Sequence, residues 1–216
     1  MKYRITENSK LFYGTTLYQI QGVDNGELGG WIEKESNLDQ EGSCWVYGNA
    51  LVLGDARVLG DAQVYGDARV LGNARVFGDA QVFGDARVSG NAEVFGDAQV
   101  YGDARVYGDA QVFGNAWVLG NALVYGDAQV YGNARVYGDA VLSSSKNFAV
   151  VIMGGGDGYT ITLTDNHVQI GCEQVEIKKG IYQDLLYLGL KVGMRPEAQS
   201  IYIDLIMTLL RRRGLK

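Results

Sequence analysis

The groups in this chain able to do chemistry are few, and most of them point away from catalysis. Its single histidine, His167, lies in Thr164-Asp165-Asn166-His167-Val168, a run of small polar residues that reads as a hairpin turn. One imidazole can move a proton or hold one side of a metal, but a zinc site needs three or four ligands, and the pattern supplies no inward set of carboxylates to complete it. The two cysteines, Cys44 and Cys172, make neither a disulfide framework nor a metal set and are read as reduced, packed thiols. Gly154-Gly155-Gly156-Asp157-Gly158 has the composition of a phosphate cradle, yet it lacks the Lys-Ser/Thr of a nucleotide loop and leads into a strand pattern instead of a helix, so a hairpin connection is expected. Arg211-Arg212-Arg213 are basic enough to hold phosphate, but at the end of a helix arginines answer the dipole and the last carbonyls. That leaves one column. Arg69, Arg87 and Arg105 recur every eighteen residues, with Tyr107 and Tyr125 on the following corner, a row of cations beside rings suited to an anionic ligand. The same arginines also serve as an ordinary solvated strand face.

The spacing of that column comes from a repeat. From Val46 to Ala140 the phrase Val-(aromatic or Leu)-Gly-(Asp or Asn)-Ala-X recurs sixteen times without a slip of register, Ser89 being its one departure in residue type. A helix of period 3.6 cannot hold a six-residue register, and a short fixed repeat of this content predicts a parallel β-helix. Ala and Val alternate with X, usually Arg or Gln, so Ala and Val face in and X faces water. Gly followed by Asp or Asn makes the corner, where positive φ is tolerated. Three such walls close a triangular coil of eighteen residues, and coils stacked at about 4.8 Å give a prism on the order of 25 Å long. All sixteen valines are expected inside, and every X between them in solvent except Trp117 and Leu123. Those two apolar residues should mark a contact with another subunit or with the C-terminal module.

Stacking also aligns the corners. Asp67, Asp85 and Asp103 form one column with Asn49 and Asn121, and Asp61, Asp79 and Asp97 another. Acidic columns can imitate nucleic-acid phosphates, but corner chemistry accounts for them, with Asn interspersed to limit repulsion between like charges. Two bulky columns run beside them: Tyr47, Tyr65, Phe83, Tyr101, Leu119 and Tyr137, then Leu59, Phe77, Phe95, Phe113 and Tyr131. Either the rings tuck beneath the next coil, or they expose apolar stripes of a kind that monomers seldom show. On the second reading Phe77, Phe95 and Phe113 join Trp117 and Leu123 in an interface, and a homo-oligomer is expected, trimer before dimer.

No coil can bury its own ends, so both must be covered. Residues 1–45 are read as an N-terminal cap, with apolar stretches Tyr3 to Ile5 and Leu17 to Val23 around a Gly14-Thr-Thr turn, then Gly29-Gly30-Trp31-Ile32 leading into the first irregular coil. Leu38 to Val46 is eight residues instead of six, which implies a two-residue bulge. Residues 46–142 are the prism. Residues 143–216 are an α+β module with strand patterns at Phe148–Met153, Tyr159–Thr164 and Val168–Cys172, a helix near Ile181–Leu190, and a second from Pro196 with an apolar stripe through Ile201, Leu205, Ile206 and Leu209. The net charge of −6 divides as −3 (four basic, seven acidic), −5 (six and eleven) and +2 (nine and seven) over these three parts. No apolar run approaches the 18–20 or so residues of a membrane span, and the first residues carry no signal-like segment, so a cytoplasmic protein is expected.

Gly26-Glu27-Leu28-Gly29-Gly30-Trp31-Ile32-Glu33, Cys44-Trp45-Val46-Tyr47-Gly48-Asn49-Ala50 and the repeat itself resemble left-handed β-helix proteins with hexapeptide repeats. With Tyr159-Thr160 and Ile170-Gly171-Cys172, they resemble a bacterial and prophage group of such proteins without an assigned activity. The left hand comes from that resemblance alone. The resemblance also implies what an enzyme of this fold would need. Carbonic anhydrases of the fold are trimers with zinc on three histidines, and its acyltransferases place a catalytic histidine on a coil beside a neighbouring subunit. The repeats here contain no histidine, and the long loop that often closes over an acyl donor is missing. The expectation is a non-enzymatic interaction protein without a cofactor, engaging a host protein or sequestering a small anionic, nucleotide-like ligand in grooves of an oligomer. A structural spacer and a transferase lacking the usual histidine are the competing readings.

Overall fold

The structure, a computed structural model, describes residues 1–144, 149–152, 160–171, 173–178 and 180–214; the Gly154–Gly158 loop and Cys172 lie outside them. The alternation of the repeat is realised as expected. All sixteen valines from Val46 to Val136, and the alanines from Ala50 to Ala140, are fully buried in one continuous core. Rungs eighteen residues apart pair in parallel and in register, Arg69 beside Arg87 and Val70 beside Val88. Three sheets form the three walls. The first runs through Leu51–Val52, Arg69–Val70, Arg87–Val88, Arg105–Val106, Leu123–Val124 and Val141–Leu142; the second through Arg57–Val58 to Gln129–Val130; the third through Trp45–Val46 to Arg135–Val136. This is a parallel β-helix.

Corner geometry explains the invariance of the phrase. At Gly84 φ is +70°, and an added Cβ would lie 3.0 Å from the backbone N of Gly102 in the next coil, so conformation and stacking both exclude a side chain. The Asp/Asn columns connect through amides: Asn73 Nδ2 donates to Asn91 Oδ1 (3.0 Å), and Asn91 Nδ2 donates to Asp109 Oδ1 (2.8 Å). Asn thus supplies the donor that a row of carboxylates lacks. The aromatic columns stack face to face at 4.6–4.9 Å from Tyr65 to Tyr101 and from Phe77 to Phe113, half-buried against one another. Each such pair is worth about 0.5–1.5 kcal/mol beyond area burial.

At the N-terminus a hairpin, β1 (Tyr3–Phe12) and β2 (Thr15–Gly22), joins β3 (Leu28–Ile32) by antiparallel pairing, and β3 pairs in parallel with Leu51–Val52, so the cap extends the first wall. The Gly-Gly-Trp lead-in has a steric cause. A Cβ on Gly29 would lie 2.6 Å from Ile20 Cγ1 and 2.7 Å from the Val46 carbonyl oxygen, and one on Gly30 would lie 2.7 Å from Val46 Cγ1. Leu51 departs from the expectation that only Trp117 and Leu123 would be shielded among the X residues, being 5% exposed. It sits between Trp31 and Arg69 in the ladder. The hairpin folds over those neighbours, with Lys10 Nζ 4.2 Å from the Trp31 ring and the Arg69 guanidinium 5.3 Å from that of Phe12. A short 3-10 turn, Glu35–Asn37, precedes Leu38, which bridges to Val58; the surplus residues follow it, before Cys44, buried at an alanine position.

The C-terminal module is a four-stranded antiparallel sheet, Ala149–Ile152, Thr160–Leu163, His167–Ile170 and Glu173–Glu176, covered by α1 (Tyr182–Lys191) and α2 (Pro196–Arg212). The fourth strand, Glu-Gln-Val-Glu, has one apolar residue and no alternation to announce it. The buried stripe of α2 also differs from the one read in sequence. Ile201 is 58% exposed, whereas Gln199, Tyr202, Ile203, Ile206 and Leu210 are buried, because 199, 203, 206 and 210 share one helix face and 201 projects across from it. Among the described residues no helix is long and apolar enough to cross a membrane.

Candidate functional site at the junction of prism and C-terminal sheet

The C-terminal sheet has two unlike faces. Ile161, Leu163, Val168 and Ile170 point to the helices and share a core with Leu185, Leu188, Ile203, Ile206 and Leu210. The alternate residues, Thr162, Thr164 and Gln169, are polar yet 1% exposed or less, because that face lies against the last coil of the prism. The last coil has backbone N–H groups with no further coil above them, and polar side chains take the missing strands' place. Arg135 N donates to Thr162 Oγ1 (3.3 Å), Val141 N to Asn166 Oδ1 (2.7 Å) and Ser143 N to Asp165 Oδ2 (2.8 Å). In return Asn166 Nδ2 donates to the Asp139 carbonyl (3.2 Å) and Gln169 Nε2 to that of Tyr137 (2.9 Å).

The polar face overhangs the third wall, and two adjoining hollows form beneath it. One, of about 230 Å³, is lined by Asn133, Arg135, Tyr137, Thr160, Thr162, Gln169 and Gly171. The other, of about 160 Å³, shares Arg135, Tyr137 and Gly171 with it and adds Tyr101, Trp117 and Leu119. Trp117 and Arg135 are successive outward residues of the wall, and the guanidinium lies 4.5 Å from the indole centroid. Tyr101 meets the same indole edge-on at 6.4 Å. Tyr137 donates its hydroxyl to the Glu173 carbonyl, which fixes the far wall. The floor carries an unmet demand, since Gln169 Oε1 is buried without a donor. The site thus offers an exposed cation and an aromatic platform.

His167 falls outside this hollow. It opens the third strand of the sheet instead of forming the turn, its backbone N–H bonded to Thr164 Oγ1 (3.0 Å) and its Nδ1 buried without a partner. Burial lowers its pKa below the ordinary 6.5, against the opposing pull of Glu176 and Asp139. Among the described residues no group of three or more His, Cys, Asp or Glu is arranged to hold a metal ion. Arg213 is half-buried, and its Nη1 donates to the Thr164 carbonyl (2.6 Å), while Arg211 and Arg212 are exposed at the end of α2.

The arginine column singled out from sequence is aligned, but on the first wall. Arg69, Arg87 and Arg105 are neighbours in register, Arg87 and Arg105 exposed and Arg69 drawn against Phe12. Tyr107 and Tyr125 stack on each other at 5.1 Å on the next corner. Leu123 is half-buried between Arg105 and Val141 on that same wall. Of the residues named in advance for contact, only Trp117 lines the junction hollows. Arg135, Thr162 and Gln169 were missed. A signal existed for Arg135, which follows Trp117 in a column that runs Trp45, Gln63, Gln81, Gln99 before them and holds no other cation.

The fold and this geometry frame the comparison with known proteins. A family described as the YdcK beta solenoid repeat matches residues 62–78, 80–96, 98–112 and 128–144. The chain is therefore a repeat β-helix protein. The stretch between the third and fourth matched segments carries both apolar outward residues, Trp117 and Leu123. No curated protein matches the chain.

Proposed function

We propose that this chain is a non-enzymatic binding protein whose β-helix is a rigid stem for an anion-accepting hollow at its C-terminal end. The reading rests on one observation, the Arg135 guanidinium held over the Trp117 ring at the mouth of a hollow of about 230 Å³. A cation on an aromatic face keeps its donors available to an anion, and the ring offers a surface for a planar portion of the same ligand. The hollow lies between two modules of one chain, which relocates the site expected in grooves between subunits. Among the described residues that line it, the side chains are amides, hydroxyls and one guanidinium, with no adjacent general base.

Titration of the full-length protein with ribose 5-phosphate, followed by tryptophan emission and calorimetry, tests the proposal. Saturable binding should weaken about tenfold in Arg135→Gln, the loss expected for one charge-assisted contact. No binding by the folded wild-type protein overturns it. The bacterial or prophage setting, the cytoplasmic location and self-association through the aromatic columns belong to the same proposal. The exposed ring edges of Tyr107 (37%) and Tyr131 (44%) support the last of these.

A further inference from the structure

Resting on the anion-binding reading of the junction, we infer that its ligand is a monoaryl anion, a single aromatic ring joined by a short arm to an anionic group. The ring takes the smaller hollow and the anion the larger. These adjoining hollows differ in chemistry. The larger is lined mainly by hydroxyls and amides, whereas the smaller is walled by Tyr101, Trp117, Leu119 and Tyr137. Arg135 lines both, so the exposed cation stands at the boundary between a polar and an apolar compartment. Among the described residues no carboxylate lines either one.

The apolar compartment follows from a break in an aromatic column. Beside the third wall that column runs Tyr47, Tyr65, Phe83, Tyr101, Leu119 and Tyr137. Tyr65, Phe83 and Tyr101 stack at 4.8 and 4.6 Å, their planes 3–4° from parallel. Leu119 then takes the place of a ring. With rungs about 4.8 Å apart, those of Tyr101 and Tyr137 are separated by about 9.6 Å, the depth that one more ring fills at stacking distance. A leucine is shorter than a phenylalanine and has no flat face, so it fills the inner end of its rung and leaves the outer end open. Leu119 is half-buried, and the hollow it lines has a volume of about 160 Å³. That is close to the roughly 150 Å³ of an apolar cavity that holds one benzene ring.

A ring seated there continues the stack below Tyr101, beside an indole that already meets Tyr101 edge-on at 6.4 Å. The Arg135 guanidinium lies 4.5 Å from the centroid of that indole, so an anionic group on a short arm reaches the cation while the ring stays in its seat. A sugar phosphate satisfies Arg135 alone. A neutral ring satisfies the slot alone. Only a ligand that carries both groups uses both compartments, which is the reason for assigning the monoaryl anion.

Calorimetric titration of the full-length protein with phenyl phosphate, butyl phosphate, ribose 5-phosphate and phenol separates this claim from the one it rests on. Phenyl phosphate should bind at least about tenfold tighter than ribose 5-phosphate, a gain that needs roughly 60 Å² of ring surface removed from water. It should also bind roughly two- to tenfold tighter than butyl phosphate, the worth of an aromatic pair. Phenyl phosphate binding no tighter than ribose 5-phosphate overturns the ring reading and leaves the anion site standing, and butyl phosphate matching phenyl phosphate overturns the aromatic class. Phenol binding as tightly as phenyl phosphate overturns the anion reading and leaves the slot. No binding by any probe overturns both. Leu119→Phe closes the gap from within, and Phe83, two rungs earlier in the same column, shows that the position accepts the side chain. With wild-type circular dichroism, the variant should lose most of the preference for phenyl phosphate and keep its affinity for ribose 5-phosphate within about twofold. A preference that survives in the folded variant overturns the seat given to the ring, and the wild-type comparison decides the proposal whether or not the variant folds.

Discussion

The two ends of the prism solve one problem by opposite means. At the N-terminus the chain supplies more backbone: β3 is a further rung of the first wall, and β2 and β1 extend the same sheet. At the C-terminus side chains stand in for the missing coil, with Thr162, Asn166 and Asp165 accepting the last backbone N–H groups. A strand satisfies a ladder along its length, whereas isolated side-chain acceptors satisfy chosen groups and leave gaps between them. The gaps at the C-terminal end are the junction hollows. The N-terminal end has a hollow too, about 260 Å³ beside Trp45, but Asp24 and Glu27 line it, and Lys2 is turned to the Cys44 carbonyl (2.8 Å) and its sulfur (3.1 Å). An anion meets carboxylates at one end and Arg135 at the other, so position along an otherwise uniform stem decides the chemistry.

The largest effect should separate the two asparagines that anchor these ends. Asn37 is fully buried; its Oδ1 accepts from the backbone N of Glu33 and of Lys34, and its Nδ2 donates to the Gly54 and Ala56 carbonyls. Asn37→Ala removes all four bonds from a closed site and should cost on the order of 3–4 kcal/mol in urea denaturation. Asn166 is half-buried; its Oδ1 accepts from Val141 N (2.7 Å) and at longer range from Thr164 Oγ1 (3.4 Å), and its Nδ2 donates to the Asp139 carbonyl, so Asn166→Ala should cost about 1–2 kcal/mol. Equal losses would mean that the two caps are energetically alike despite their construction.

How much of this was legible in the sequence follows the same division. The prism was readable residue by residue, because each Val, Gly and Ala meets copies of itself above and below and a six-residue period fits a stacked coil and no helix of period 3.6. The N-terminal cap was partly readable: Gly29-Gly30-Trp31 marked the lead-in, but nothing local said that Phe12 would reach Arg69 and bury Leu51. The junction was the least readable part. Thr162 and Gln169 look like the solvent face of an ordinary strand, and only the docking of that face on the last coil makes them buried, oriented and partly unsatisfied. The arginine column drew attention because it was periodic. Arg135 did not, because it is the single cation of its column and has no periodic partner.

The caps should also answer pH in opposite directions. Tyr3 is fully buried and donates its hydroxyl to the Glu35 (2.9 Å) and Leu38 (2.8 Å) carbonyls; burial first, then the charge of Glu35, raises its pKa above the ordinary 10.0. Its contribution is fully present below pH 10.0 and is lost as pH rises through the higher folded value, because the unfolded chain releases the proton first. His167 has the reverse sign, since burial lowers its pKa and the unfolded chain binds the proton first as pH falls below 6.5. Melting temperature should therefore fall above pH 10 less steeply in Tyr3→Phe than in wild type, and fall from pH 7.5 to 5.5 less steeply in His167→Gln, relative to each variant's value at pH 7.5. Unchanged slopes in both variants would detach these groups from cap stability.

The smallest effect concerns the column on the first wall, and its smallness is the point. Arg87 and Arg105 are adjacent exposed cations in register with Arg69, and like charges opposite one another on neighbouring strands oppose pairing. Replacing both with glutamine, the residue that recurs at the same positions of the third wall, removes the repulsion and keeps a hydrogen-bonding side chain, so stability should change by no more than about 0.5 kcal/mol, in the stabilising direction. Affinity for ribose 5-phosphate should stay within about twofold of wild type, in contrast to the tenfold loss expected of Arg135→Gln. The column has cations and nearby rings on an open wall, and two exposed guanidiniums in water bind an anion weakly, the more so as salt rises. If the double variant loses binding as Arg135→Gln does, the anion site belongs to the wall and the distinction drawn between stem and junction fails.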